Sequence, residues 1–254
     1  MTLLPIRCRR VAALALAALA GCSTVPTATA PDIAASPWAG QSGLQPGAQA
    51  KSWSHQRFPG KQPTRFTYAR NEGRDTVSVQ SEASASMLRQ VLRIEPADLG
   101  RVRFSWKVPE LIEQADIATR ESDDAPVRLV LAFEGDRSRF SAKDAALSEL
   151  ALALTGEPMP YATLMYVWCN KRTPGTVITS PRTDRIRKLV LESGRARLGE
   201  WLDYERDIRA DYERVFGEKP GALVGIAIMT DSDNTRSQAR AWYGPIRFLP
   251  VAAR

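Results

Sequence analysis

The densest run of oxygen-bearing side chains is Asp231-Ser-Asp-Asn-Thr235, directly after an apolar stretch. Asp231, Asp233 and Asn234, with carbonyls of the turn, are the donors a hard cation such as calcium collects, about six to eight at a time. The register of an EF-hand is missing. Thr235 stands fifth, Arg236 sixth where glycine is needed, and Trp242 twelfth where a bidentate glutamate is needed. A hairpin turn whose Asp and Asn side chains bond their own backbone uses the same residues and is the favoured reading, with Asp231 and Asp233 as candidate calcium ligands beside it. A second constellation runs Asp116, Arg120, Asp123, Asp124, Arg128. Adjacent carboxylates beside arginine can hold sugar hydroxyls through charge-assisted hydrogen bonds, or form an ion network that orders a loop. A third is aromatic: Trp106, Trp168, Trp201, Trp242 and Tyr243. Flat apolar faces stack on pyranose rings, although most tryptophans of a sandwich belong to its core. Trp168, inside an apolar run, reads as core. Trp242, close in sequence to the acidic turn, is the candidate ligand-facing ring.

Nucleophilic chemistry has little to work with. His55 is the single histidine, with no Ser or Cys motif around it, so a histidine-dependent triad lacks its usual base. No glycine-rich phosphate loop follows a strand, and no Cys/His cluster has metal-ligand spacing. Glycoside cleavage needs only two carboxyl groups about 5–9.5 Å apart; Glu134, Asp136 and the Asp123-Asp124 pair supply the residue types.

The elements that must position these groups are short strands. Residues 66–68, 76–80 and 102–106 alternate with a period of two. Residues 127–133 and 161–169 are apolar on both faces, as central strands covered by a second layer are. Residues 87–94, ambiguous in period, read as a strand from their neighbours, and 185–191, 222–229 and 239–243 continue the series. Two helices interrupt it: residues 141–154, opening on a Ser cap and ending at Gly156, and residues 207–216, stopped by Gly217 and Pro220. About nine strands and few helices predict an all-β fold, a two-sheet jelly-roll-type β-sandwich over residues 52–254.

The head of the chain carries a different message. A basic start, an Ala/Leu-rich run of residues 11–20 and Leu19-Ala-Gly-Cys22 have the layout of a secretory signal. The run is about half of the ~20 residues that a stable membrane span needs. Leu-Ala-Gly-Cys also resembles a bacterial lipobox. That resemblance implies a lipoprotein signal peptide over residues 1–21, acylation of Cys22, and a lipid bilayer as partner through its acyl chains. Several chains anchor stably where one does not. Residues 22–51, rich in Pro, Gly, Ser and Thr, read as a disordered tether. The absence of Asp after Cys22 favours, by resemblance to enterobacterial sorting, the outer membrane facing the periplasm.

The charge excess is mild and spread along the chain. The chain has 35 basic and 28 acidic residues, a formal net charge of +7; Arg7, Arg9 and Arg10 leave with the signal. Nucleic acid is not an expected partner of such a protein. Of three cysteines, Cys8 is removed and Cys22 takes lipid, so Cys169 is alone and reads as an inert core thiol.

The second half has the most distinctive text: Leu164-Met-Tyr-Val-Trp168, Arg182-Thr-Asp-Arg185, Glu192-Ser-Gly194, Glu205-Arg-Asp-Ile208, the stretch from Gly225 to Thr235, and Ala241-Trp-Tyr-Gly244. With residues 115–128 upstream, it resembles a bacterial exported family, domain of unknown function 3047, over roughly residues 53–249. That resemblance brings no activity. The closing order of apolar strand, acidic turn and aromatic strand is similar to galactose-binding-like jelly rolls, which implies a glycan-binding module. A carbohydrate-active hydrolase or lyase using paired carboxylates, and a structural or protein-interaction envelope protein, are the competing readings.

Overall fold

The computed structural model describes residues 33–44 and 48–250. The leader and Cys22 lie outside the described residues. Fourteen strands follow in chain order: β1 (Gln49–Ala50), β2 (Ser54–Arg57), β3 (Arg65–Asn71), β4 (Arg74–Glu82), β5 (Ser86–Ile94), β6 (Arg101–Lys107), β7 (Ala125–Phe133), β8 (Ala162–Cys169), β9 (Val177–Thr179), β10 (Ile186–Ser193), β11 (Trp201–Asp207), β12 (Leu223–Asp231), β13 (Gln238–Tyr243) and β14 (Arg247–Leu249). The helices are α1 (Pro37–Gln41), α2 (Ala142–Thr155) and α3 (Ile208–Phe216). All nine expected runs form strands and both expected helices form, so the all-β, two-sheet expectation holds.

The larger sheet runs β1-β5-β12-β7-β8-β10-β9, with β2 also on β5; the smaller runs β11-β6-β13-β4-β3, with β14 on β6. Pairing is antiparallel except between β8 and β10. The ambiguous run at residues 87–94 is a strand because both its edges find partners, β12 on one side and β1 and β2 on the other. Between the sheets, alternate residues of each strand meet: Val77 and Val79, Phe104 and Trp106 from the smaller sheet, Leu129 and Leu131, Leu164 and Tyr166, Ile226 and Ile228 from the larger. Phe104 stacks on Tyr166 across the interface, centroids 5.7 Å apart and planes 10° off parallel.

Helix termini follow their sequence signals. Ser141 Oγ accepts the Asp144 amide at 3.1 Å, and Asp207 Oδ1 accepts that of Ala210 at 3.0 Å. Gly156 and Gly217 close the two helices in the left-handed region, with φ of 76° and 73°, where a Cβ would be strained. Among the described residues no helix is long and apolar enough to cross a membrane.

Two findings depart from expectation. Residues 33–50 were expected within a disordered tether, yet where described they are docked. Ile33 and Trp38 are fully buried, Trp38 packs 4.8 Å from Trp53, and β1 pairs with β5. Two large apolar side chains in a Pro- and Gly-rich segment are enough to fix it to the core. Five strands beyond the nine expected also form, β1, β2, β9, β11 and β14; the longest of them, β11, is disguised because its outward residues are charged: Asp203 pairs with Arg74, and Glu205 with Arg101 and Arg103.

Candidate functional site

The outer face of the larger sheet, away from the smaller one, holds the candidate site. Period-two alternation sends Leu129 and Leu131 inward and Arg128, Val130 and Ala132 outward. Outward residues of the adjacent strands continue the surface: Met87, Arg89 and Val91 on β5; Ala227, Met229 and Asp231 on β12; Thr163 and Met165 on β8; Ile186 and Lys188 on β10. Together they floor a groove of about 710 Å³, within the ~300–1,000 Å³ range of small-molecule sites. Ala132, Gly225 and Ala227 keep the middle of the floor low. One wall is Lys51, Gln56, Phe58 and Lys61; the other is Ala151 and Thr155 of α2 with residues 157–160. Met87, Met159, Met165 and Met229, every methionine after Met1, line it.

One end is charged. Arg128, its side chain 3% exposed, donates from Nε to Asp231 Oδ1 at 2.8 Å and from Nη2 to Asp231 Oδ2 at 3.0 Å. Nη2 also donates to the Asp123 carbonyl at 2.8 Å and to Asp123 Oδ1 at 3.1 Å. Lys188, 1% exposed, donates to Asp123 Oδ1 and to the Ile117 carbonyl, each at 2.6 Å. Burial and then the neighbouring Arg128 charge lower the Lys188 ammonium to about 8. Burial raises the Asp231 carboxyl to about 6 against the pull of Arg128. Burial also pushes Asp123 up, but Arg128 and Lys188 more than reverse it, and its net shift is downward. From beneath, the Tyr243 hydroxyl donates to the Met229 carbonyl at 2.6 Å and accepts the Arg128 amide at 3.2 Å, tying the two floor strands to the smaller sheet.

The structure thus joins the first two sequence constellations, because β7 and β12 are neighbours and Asp231 is in register with Ala125. Asp124, fully buried, accepts the Asn234 amide at 3.2 Å on Oδ1, and the Thr235 amide at 2.7 Å and hydroxyl at 2.6 Å on Oδ2. Asn234 Nδ2 donates to the Arg120 carbonyl at 2.7 Å, and Lys61 pairs with Asp233. Carboxylate oxygens of Asp124, Asp231 and Asp233 come within 4.8 Å of one another. Each carboxylate, however, already accepts from protein donors, with Arg128 and Lys61 supplying the positive charge, so a calcium ion would have to displace them. The donor set fits a braced turn and does not fit a hard-cation site. Asp116 is drawn away to Arg172.

The aromatic constellation is not assembled. Trp106 and Trp168 are fully buried between the sheets, and Trp201 lies under Arg74, 4.9 Å from its guanidinium. Trp242 was expected to be ligand-facing beside the acidic turn. It alternates with core residues Ala241 and Tyr243 on β13 and so faces outward from the smaller sheet, on the opposite side of the sandwich from the groove. The turn after β12 crosses between sheets, which carries neighbours in sequence to opposite faces. His55 meets Ser86, Nε2 to Oγ 2.8 Å, but Ser86 is fully buried and also accepts the Thr64 amide, so this contact braces β2 against β5.

Lys188 and the methionines are the groove-lining residues that the sequence reading does not single out. Their one signal was a lysine inside the apolar run 186–191. A second depression, on the outer face of the smaller sheet, is lined by Arg74, Arg103, Asp203 and Glu205, which neutralise one another in exposed pairs.

The sequence profile described as "Protein of unknown function (DUF3047)" matches residues 51–247. The chain belongs to this family. The shared span starts at Lys51 on the groove rim and includes every strand of the floor; α1 and its buried Trp38 lie before it. A comparison with curated proteins finds no match.

Proposed function

We propose that this member of the DUF3047 family is an exported binding protein of the cell envelope, held on a membrane by acylated Cys22, whose ligand lies along the groove of the larger sheet. The observation that carries the binding reading is the groove itself: five adjacent strands contribute its floor, low in the middle and lined by four thioethers. Methionine is flexible and polarisable, and it recurs on surfaces that must adapt to an apolar partner. Export and anchoring rest on the leader and on Leu19-Ala-Gly-Cys22.

The lining favours an apolar ligand over a sugar, since the tryptophans that would stack on pyranose faces lie in the core or on the far side. Carboxylate catalysis is not favoured either. Asp123 Oδ1 is held by Arg128 and Lys188, both Asp124 oxygens are taken by the Asn234–Thr235 turn, Glu134 pairs with Arg93 at 3.0 Å, and Asp136 caps the short helical turn at Arg137–Arg139.

Two measurements test this. With Cys22→Ser in the otherwise complete chain, an apolar reporter dye is expected to bind with enhanced fluorescence, and Ala132→Trp, which fills the mid-floor, to lower its affinity at least tenfold while leaving circular dichroism unchanged. Equal binding by a folded Ala132→Trp chain overturns the groove reading. Mass spectrometry of the mature native protein is expected to find Cys22 acylated, and an unmodified Cys22 overturns the anchor.

A further inference from the structure

We infer that the ligand of this groove is an acyl-chain amphiphile with an anionic head, its chain lying over the methionines and its head at Arg128. The inference rests on the groove being the binding site, and it names what binds there.

Three observations bear on it. Arg128 lines the charged end with a side chain that is 3% exposed, and its Nε and Nη2 are occupied by Asp231 and Asp123. Nη1 has no oxygen partner among the described residues; its one contact is Met165 Sδ at 4.0 Å, a weak acceptor also in the groove lining. A buried guanidinium nitrogen with unsatisfied N–H groups is costly, and a carboxylate or phosphate oxygen arriving from the groove satisfies it with a charge-assisted bond. Second, the lining as a whole has seven basic and five acidic residues; at the Arg128 end Arg128, Lys188 and Lys61 balance Asp123, Asp231 and Asp233, and the excess lies elsewhere along the groove. Third, the floor suits a chain in length and chemistry. From Arg128 on β7, the central floor strand, it extends two strand spacings to either edge, about 10 Å, over side chains that are mostly aliphatic or thioether.

The groove also opens beside an unusual helix. α2 turns Asp144 and Ser148 to the body and leaves Leu150, Leu152 and Leu154 exposed by 54%, 42% and 60%.

The test uses the complete chain with Cys22→Ser and saturated fatty acids of increasing length, read by displacement of the apolar dye and by native mass spectrometry. Burial of each added methylene corresponds to up to ~4-fold in affinity, so affinity is expected to climb stepwise and level off when the floor is full. The alcohol of the same length should bind at least tenfold more weakly than the acid. Met165→Gln, which sets an amide oxygen beside Nη1 without touching the ion pairs, should erase that preference for the acid while keeping the length dependence. Phosphatidylglycerol vesicles form the second arm: their lipid appearing on the protein assigns a phospholipid, and fatty acid alone assigns the free acid, either result supporting the inference. Should Ala132→Trp fail to fold, Gly225→Leu plugs the same floor, where an added Cβ meets only ordinary contacts from 3.6 Å. Flat affinity across the series, or equal binding of alcohol and acid, overturns the inference. If instead an oligosaccharide binds and a plugged variant loses it, the groove reading stands and the amphiphile is ruled out. If amphiphiles bind equally to the plugged chains, both readings fall.

Discussion

Lys188 is an ammonium held in a nearly dry place, and its stability signature follows from that. Its acid form is disfavoured on folding, the group being lowered from 10.5 to about 8. The cost is in force below pH 8 and lifts as pH rises, since above 8 the unfolded chain binds the proton that the folded chain has released. Stability is therefore expected to increase from pH 8 to 10, by at most ~1.4 kcal/mol per pH unit for one proton. Above pH 10 the buried Tyr204 hydroxyl, raised to about 12, opposes the trend. Urea midpoints at pH 7, 8, 9 and 10 check this, and Lys188→Met should flatten the rise; an unchanged slope would assign it to other groups. Asp123 and Arg128 were legible as candidates because adjacent acids near an arginine stand out in any sequence. Lys188 was not, because its partner Asp123 lies 65 positions away.

At the scale of elements, α2 shows how a helix can be readable in its ends and misleading in its faces. Ser141 and Gly156 mark its limits as the sequence implies. Its leucines suggest a core helix, yet the residues it buries are Asp144, bonded to Ser141 and Thr183, and Ser148, bonded to Arg137. A helix attached by polar contacts has little apolar burial to resist opening. Hydrogen exchange read by mass spectrometry should release the α2 amides well before those of β7 and β12. Ser141→Ala, which removes the cap, should cost about 1 kcal/mol and speed exchange in α2 alone; exchange as slow as in the central strands would contradict this account. The opposite error occurred at β11, where alternation was present but carried by Asp203 and Glu205, whose exposed arginine partners come from other strands.

Across the whole molecule, the segment before the family span closes the sandwich. Trp38 packs on Trp53, Ser42 Oγ accepts the Ile246 amide at 3.1 Å, and the Gly43 carbonyl accepts that of Phe248 at 3.1 Å, so the N-terminal segment clasps the C-terminal strand. Trp38→Ala should therefore cost ~3–5 kcal/mol, as large-to-small core substitutions do. Trp38→Phe should cost much less, since Trp38 Nε1 has no hydrogen-bond partner among the described residues. Chemical denaturation of both variants checks this, and a Trp38→Ala chain as stable as the parent would restore the tether reading for this segment.

Local pattern was sufficient for what depends on neighbours in sequence: period-two runs become strands, and serine and glycine bound α2. Which strands lie side by side, and hence which distant charges share one buried network, depends on pairing that a linear pattern does not encode. A two-residue period says that a strand has two faces without saying which faces the partner sheet. Trp242 therefore lies on the face opposite the acidic cluster's groove despite its nearness in sequence, and the groove became visible only once β5, β12, β7, β8 and β10 stood together.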